Sequence, residues 1–597
     1  MGPILTKLLP LSDSSHDRSH GSKSLAALLV LPACFLVAVL ILMESAGPFW
    51  IWHNVDPEYA YLVNALKIVN LTAPGHVDHP GTPLQWLGAL VIKATYPTNS
   101  STYIIETVLA DPETHMHRIC VVITWLNAII LLAAGMVGYA VFKNVLPALI
   151  VQAAPFASAQ IIRHGITLKP ESLLILSVMA LITVTLLALR PGAVEANRRG
   201  FAIAFGMVLG FGMACKINFA PLFLLPPFLL GDRKAILTFA ASSLLAFLLF
   251  TLPALGAYEQ FTDWIVRLFL GSGHYGGGPA TVINVETYPR NIYRLIAGGS
   301  FNCVGCSDFA RPLFNIVFIL AVLTLVVARR SPERRDYIPK LDLQALKGVV
   351  LTQMVMVLMV AKAFPTSESG WNVYYMIPAY MLTALSGVLL YRIVPTLGLG
   401  GGTVRRCFAL VFPALLVLIA ITQAFGIARL DRNYRNMRDM GLSVGNERFS
   451  ACARISGYSS SSPSFALYNG NLQAGFPFSK QLKELRPEND FWLNIFWPHV
   501  WIRYKAGFSR TSLGIERDPG NYGLWDWTGS RDLQQVLSHY PCAVFRGSRR
   551  RAIAKFLATE APESKYDTSC STPSEGVFTM GVDCQGRLTE SSENNTP

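Results

Sequence analysis

The residues best suited to chemistry follow the first long apolar run of the chain. Asp56 and Glu58 open this stretch, and His79 closes it just before a turn that contains Pro80 and Pro83. Carboxylates and imidazoles can carry protons or hold cations, and proline fixes the backbone φ angle. Since a simple connection between membrane helices needs only polar, flexible residues, this stretch predicts a chemical site.

The same residues also have structural interpretations. Asp56 as N-cap, Pro57 at the first helical position and Glu58 in the first turn are typical of a helix start. On that helix the two carboxylates would point to different faces and could not act as one pair. Residues 76–79 include the residue types of a metal site, but the prolines beside them also predict a rigid turn. Both interpretations stay open on the sequence.

A second chemical group falls at the ends of later apolar runs. Glu171 follows Pro170, as a first-turn carboxylate of a helix would. Arg163 and Lys169 come just before it, and Lys216 closes a further run. Ionisable groups at the membrane boundary are costly and are usually paired or functional. Together these cations would form a basic pocket suited to a lipid-linked phosphate.

Composition shows what kind of chain carries these groups. Of the 597 residues 52% are hydrophobic and only 15% are charged, whereas charged residues approach about a quarter of a soluble protein. The apolar runs reach roughly 20 residues, enough to cross about 30 Å of hydrocarbon. The net charge of +13 comes from short basic clusters between the runs, which indicate membrane topology and not a nucleic-acid surface.

The apolar runs predict an all-α polytopic membrane protein with roughly eleven transmembrane helices, followed by a small soluble α+β domain. The predicted spans are 24–46, 119–142, 145–162, 172–189, 201–215, 219–230, 235–255, 313–328, 349–363, 374–391 and 407–427. The predicted divisions are a cytoplasmic tail at 1–23, a transmembrane domain at 24–427 with external loops at 47–118 and 256–311, a soluble domain at 428–565 and a disordered tail at 566–597.

The distribution of basic residues predicts the orientation. Every second connection carries the Lys and Arg excess when the N-terminus is cytoplasmic, which is the rule for inner connections. Both chemical groups and the C-terminal domain then face the non-cytoplasmic side. Six cysteines fall on that side, where disulfides persist: Cys303, Cys306, Cys452, Cys542, Cys570 and Cys584. A local bridge or a metal pair at Cys303 and Cys306 are both open, and the tail's aromatic residues fit either a small core or a sugar-stacking surface.

The order of these features resembles the GT-C glycosyltransferases, and most closely the branch that holds protein O-mannosyltransferases and the lipid A aminoarabinose transferase. Asp56 followed by the turn at 79–84 is similar to the acidic residue and His-Pro turn of that branch. Arg163 with residues 170–174 resembles the family's Arg...(Asp/Glu) element at the head of a span. Lys216 ends a Gly-rich helix, as in the family. Lys362 with residues 374–378, which include Tyr375, resembles the family's Lys...Arg-Tyr-Leu-X-Pro element near a late span.

The resemblance implies an inverting transfer of a sugar from a polyprenyl-phosphate donor. Asp56 would be the general base, and Glu58, His79 and Glu171 would orient the sugar or the acceptor. The phosphate would be held by cations, and a flexible external loop would close over the donor. The implied phosphate ligands are the basic residues Lys216, Arg163, Lys169 and Lys362. The implied loop residue is His274, and Tyr375 also lines the site.

Several questions stay open on the sequence. The acceptor could be a glycan, a lipid or a protein, no cofactor is firmly implied, and a role for a divalent cation is open. The compartment would be a bacterial inner membrane or an endoplasmic reticulum. The rival functions are a polytopic transporter and a non-catalytic protein of polysaccharide assembly or export.

Overall fold

The computed structural model describes most of the chain: residues 15–51, 58–77, 80–273, 276, 280–297, 310–335, 337–364, 371–397, 402–443, 449–456, 463–485, 490–494, 523–526, 529–547, 550–571 and 576–589. Asp56, His79, His274, Cys303 and Cys306 lie outside these residues. The predictions made for those five residues therefore stay predictions.

Helices account for most of the described chain. Numbered in chain order, they are α1 Ser15–Ala46, α2 Glu58–Val69, α3 Thr82–Thr95, α4 Ser101–Ala110, α5 Pro112–Phe142, α6 Val145–Gln152, α7 Ala159–His164, α8 Pro170–Ala188, α9 Ala193–Ala196, α10 Arg198–Cys215, α11 Leu225–Leu230, α12 Arg233–Thr251, α13 Tyr258–Leu270, α14 Tyr288–Ile296, α15 Ala310–Arg330, α16 Pro332–Arg335, α17 Lys340–Ala363, α18 Ile377–Ile393, α19 Gly402–Ser443, α20 Pro463–Gln473, α21 Ser479–Leu485, α22 Leu533–His539 and α23 Arg550–Glu560.

The contacts within the chain define two compact units. The first unit comprises Met1–Met43, Val77–Leu84 and Ile119–Asn433, and the second comprises Glu44–His76, Gln85–Arg118 and Tyr434–Pro597. Within the described residues, nine helices are long and apolar enough to cross a membrane. The predicted all-α polytopic class is confirmed, since each of the nine coincides with a predicted span.

The other two predicted spans are broken helices. The apolar run at 145–162 folds as α6, a 3-10 turn Ala154–Ala157 and α7, whose N-cap is Ser158. The run at 219–230 begins as the 3-10 segment Ile217–Leu224 and continues as α11. Prolines lie in both runs, and proline removes a backbone donor and clashes with the preceding turn. Hydropathy alone carries no sign of these breaks.

The C-terminal part of the second unit forms the predicted α+β domain. Its six strands are β1 Ala453–Ser456, β2 Asp490–Asn494, β3 Gly523–Asp526, β4 Gly529–Arg531, β5 Ala543–Gly547 and β6 Gly576–Met580, in the order β4-β3-β2-β1-β5-β6. The three central strands, β2, β1 and β5, run parallel, and the outer strands pair antiparallel. One face packs its apolar residues, such as Ile455 and Phe545, against helices α22 and α23.

The described residues 566–571 and 576–589 differ from the disordered tail that was expected at 566–597. Strand β6 pairs with β5 along its whole length, and Val577 and Phe578 are buried. A disulfide between Cys570 and Cys584 closes the segment around this strand. The abundance of Ser, Thr and Glu obscured a short apolar strand that the sheet buries.

The second disulfide, Cys452–Cys542, joins the residues just before the parallel neighbours β1 and β5 and links positions 90 residues apart. Because it restricts a long loop of the unfolded chain, we expect the double variant Cys452→Ala/Cys542→Ala to lose about 2–5 kcal/mol of domain stability. The matched control is Cys570→Ala/Cys584→Ala, which opens a separation of only 14 residues and should cost less. Hydrogen exchange of the β1 and β5 amides measures both, and equal losses would contradict the expectation.

Candidate active site

Two oppositely charged residues meet inside the first unit. Glu171 lies in the first turn of α8, after Pro170, and Lys216 follows the last residue of α10. The Lys216 ammonium forms a salt bridge with the Glu171 carboxylate, and the two residues are only 2% and 3% exposed. The sequence analysis placed both at one membrane boundary, and the structure brings them into direct contact. A buried ion pair of this kind marks a functional-site candidate.

The turn after His79 is attached to the backbone beside Lys216. Lys216 has an extended backbone, with φ −160° and ψ 136°, and it pairs with Pro80 in an isolated antiparallel bridge. The amide of Gly81 donates to the carbonyl of Cys215 at 3.2 Å. Gly81 has a φ of +68°, which glycine adopts without steric cost. Two motifs that are more than 130 residues apart in sequence are therefore neighbours.

Two tyrosines cover the Lys216 ammonium. Its Nζ lies 5.1 Å from the ring centre of Tyr374 and 4.5 Å from that of Tyr375, within the range of a cation–π contact. Tyr375 stacks on Phe364 with 3.9 Å between ring centres, and its carbonyl accepts from the Asn218 side chain at 2.9 Å. These contacts hold the aromatic pair against the cation. Tyr375, a predicted site residue, is thus part of the cluster.

Further basic groups lie close to this pair. Burial lowers the pKa of His164, and Arg163, Lys169 and Lys216 lower it further, while the Glu171 carboxylate opposes the shift. His164 is therefore neutral at physiological pH, and its ring centre lies 6.0 Å from that of Tyr374. The predicted basic residues Arg163, Lys169 and Lys216 therefore all lie within electrostatic reach of His164. His164 was not predicted, although its position next to Arg163 is the one available signal.

Lys362 makes a different kind of contact. Its ammonium donates to the carbonyls of Leu268 and of Phe269, the latter at 2.8 Å, at the C-terminal end of α13. The last carbonyls of a helix lack intrahelical partners and carry partial negative charge, so a cation there is stabilising. Lys362 is thus a cap of α13, and its expected role as a phosphate ligand stays a prediction.

Glu58 lies in the second unit, in the first turn of α2, and is buried. Its position agrees with the helix-start interpretation of 56–58. The segment 52–57, which precedes it, lies outside the residues that the structure describes.

One carboxylate contacts both sides of that segment. Oε2 of Glu113 accepts from the amide of Phe49 at 2.7 Å, and Oε1 accepts from the hydroxyl of Tyr59. Glu113 thus ties together the two ends of the stretch that carries Asp56, all within the second unit. Glu113 was not predicted, because nothing in its local sequence relates it to residues 54 and 64 positions earlier.

Replacing Glu113 by glutamine tests this tie. Glutamine is neutral and has one acceptor oxygen instead of two, so the Phe49 amide and the Tyr59 hydroxyl can no longer both donate to a charged group. A hydrogen bond to a charged group contributes about 1.5–3 kcal/mol, and exchange of the backbone amides at 49–51 should therefore be roughly tenfold faster or more. Hydrogen–deuterium exchange by mass spectrometry measures this rate. Glu106→Gln, on an exposed position of the same unit, is the matched control, and equal exchange in both variants would refute the anchoring role.

The candidate site is otherwise rich in cations and aromatic rings. Among the residues that the structure describes, no three histidine, cysteine, aspartate or glutamate side chains are grouped so that they could hold a metal ion.

Comparison with known proteins gives a structural likeness. No protein-family model and no curated protein matches the chain. Two solved structures of ArnT from Cupriavidus metallidurans, one bound to undecaprenyl phosphate and one in the apo state, are similar to it. For each, the TM-score is 0.45 and the identity 12%, over 92% of this chain and 97% of the other. ArnT is the lipid A aminoarabinose transferase, an enzyme of the branch named in the sequence analysis.

Proposed function

We propose that this chain is a membrane glycosyltransferase that moves a sugar from a polyprenyl-phosphate donor to an acceptor hydroxyl on the non-cytoplasmic face. The observation that carries the proposal is the buried pair of Lys216 and Glu171. Lys169 lies within electrostatic reach of Glu171, and Arg163 within reach of His164. These charges lie at the ends of apolar helices, where a lipid-linked phosphate would sit. A transporter would instead need such groups along a path through the spans.

Lys216 has the properties of a phosphate ligand in this scheme. An ammonium has three donors, so a lysine that gives one to Glu171 retains others for the oxygens of a phosphate. Glu171 and the two tyrosine rings hold the ammonium in position before the donor arrives. Preorganised charge of this kind stabilises the negative charge that develops on a departing phosphate.

The bond changes follow from these roles. Asp56, as general base, takes the proton of the acceptor hydroxyl while the hydroxyl oxygen of the acceptor attacks the anomeric carbon of the donor sugar. The bond from that carbon to the phosphate oxygen breaks, and the electron pair leaves with the phosphate towards Lys216, Arg163 and Lys169. Attack opposite to the leaving phosphate inverts the anomeric configuration. In this proposal Glu58, His79 and Glu171 orient the sugar or the acceptor, and Tyr375 lines the site. His274 lies on the loop that closes over the donor.

The non-cytoplasmic location has independent support from the second unit. Its two disulfides, Cys452–Cys542 and Cys570–Cys584, are of the kind that persists in oxidising compartments. This agrees with the N-terminus in the cytoplasm, as the basic residues predict. The chemistry would then take place on the face where polyprenyl-linked sugars and their acceptors meet.

Transfer by the purified protein tests the proposed function. The full chain in nanodiscs is incubated with a panel of undecaprenyl-phosphate sugars and with extracted envelope glycans, lipids and proteins. Mass spectrometry then follows the release of undecaprenyl phosphate and the gain of one sugar mass on an acceptor. In parallel, cells that lack the protein should accumulate one lipid-linked sugar and lose it from one surface acceptor. Unchanged lipid-linked sugars and acceptors in those cells would contradict the proposal.

A further inference from the structure

The loop between α12 and α15 contains two helices that are tied to the end of one membrane span. The Tyr288 hydroxyl of α14 donates to the carbonyl of Leu358 at 3.1 Å, and the Asn291 side chain donates to that of Ala361 at 3.2 Å. Lys362 holds the end of α13 through the carbonyl of Phe269. The last turns of α17 therefore fix the position of both loop helices within the first unit.

The length of α17 places these contacts at the membrane boundary. The helix has 24 residues and, at 1.5 Å per residue, is about 36 Å long, slightly more than the roughly 30 Å of a hydrocarbon core. Its last turn, with Ala361 and Lys362, must then lie where hydrocarbon gives way to headgroups. Because α14 is bonded to this turn, it lies at the same depth.

The exposed surface of this loop is apolar. Asn291 and Leu295 of α14 face inward and are buried, whereas Tyr293 on the opposite face is 63% exposed. The segment before α14 adds three exposed β-branched side chains, with Val285 82% exposed. Exposed apolar side chains of this patch are Val282, Ile283, Val285, Tyr293 and Ile296. An apolar surface of several neighbouring side chains marks an interaction site.

We propose that residues 282–296 form an interfacial anchor that inserts into the lipid leaflet at this end of α17. The patch is continuous with a membrane span, through the bonds of Tyr288 and Asn291 to α17, and this continuity favours lipid over a protein partner. Tyrosine is enriched at the headgroup level of membranes. The exposed Arg290 and the half-buried Arg294 lie on the same helix, where they complement anionic lipid phosphates.

The anchor would also steady the candidate site. Lys362, which caps α13, is two residues from Phe364, and the Phe364 ring stacks on Tyr375 beside Lys216. A leaflet that holds α13 and α14 in place would thereby hold the end of α17 and the aromatic pair. The lipid contact itself does not depend on the proposed glycosyl transfer.

Photo-crosslinking tests the anchor directly. A benzophenone amino acid replaces Val285, and in a second variant Val282, in the full chain reconstituted in nanodiscs of phosphatidylcholine with phosphatidylglycerol. Leu245, 66% exposed on the span α12, is the reference for a lipid-facing position. Lys555, exposed on α23 of the soluble domain, is the aqueous reference.

Mass spectrometry of the irradiated protein gives the result. We expect lipid adducts at Val285 and Val282 at a yield comparable to that at Leu245 and at least tenfold above that at Lys555. Lipid adducts no more frequent than at Lys555 would overturn the proposal, whether the probe reacts with water or with another part of the chain. A loss of glycosyl transfer with lipid adducts unchanged would bear on the proposed function and not on the anchor.

Discussion

Replacing Lys216 by alanine is expected to reduce the stability of the first unit by about 3–5 kcal/mol, the typical effect of removing one partner of a buried ion pair. Glu171 would remain buried without its counter-charge, because both residues are almost inaccessible to solvent. The tyrosine rings that contact the ammonium would also lose their cation. Thermal unfolding in nanodiscs, followed for the protein with and without the substitution, measures the loss.

Two further variants separate charge burial from function. The double variant Glu171→Leu/Lys216→Met removes both charges together, and hydrophobic replacement of a whole buried pair is often neutral or stabilising. It should recover most of the stability lost in Lys216→Ala and still fail to transfer sugar. Lys347→Ala, an exposed lysine on α17, is the control for loss of one positive charge. A Lys216→Ala protein as stable as that control would mean that the pair contributes nothing to the fold.

The membrane part of the fold could be predicted because it depends on local properties of the sequence. A run of apolar residues long enough to cross the bilayer must form a helix, since its backbone groups find no partner in lipid. Nine predicted spans followed from this rule alone and are helices in the described part of the chain. The breaks at residues 145–162 and 219–230 did not, because their prolines are compatible with either a kinked span or an interrupted one.

The sequence predicted which residues belong to the candidate site better than it predicted the contacts between them. Lys216 and Glu171 were expected on one side of the membrane from the order of the apolar runs. The contact between these two residues depends on how α8 and α10 pack, and no local sequence pattern predicts this packing. The bridge between Pro80 and Lys216 is of the same kind, since it joins distant parts of the chain.

Other contacts could not be predicted for a related reason. Lys362 has the residue type and position of a phosphate ligand, and only the folded chain also brings the carbonyls at the end of α13 to its ammonium. Glu113 is an ordinary first-turn carboxylate of α5 in the sequence. Only the folded chain brings the Phe49 amide and the Tyr59 hydroxyl to its two oxygens.

The substitution Asp56→Asn is expected to abolish glycosyl transfer while the protein remains folded and inserted in the membrane. Asparagine has nearly the same shape but cannot accept the acceptor proton, and general base catalysis contributes about 10²–10⁴-fold to a rate. The rate of transfer from an undecaprenyl-phosphate sugar, measured as release of undecaprenyl phosphate, should fall by at least that factor. Donor binding should be unchanged, because Lys216 and the other cations proposed to hold the phosphate are still present. Glu58→Gln, which removes the neighbouring carboxylate, should reduce the rate less. An Asp56→Asn protein with undiminished turnover would exclude Asp56 as the base. Glu58, the nearest carboxylate in the sequence, would then be the next residue to test.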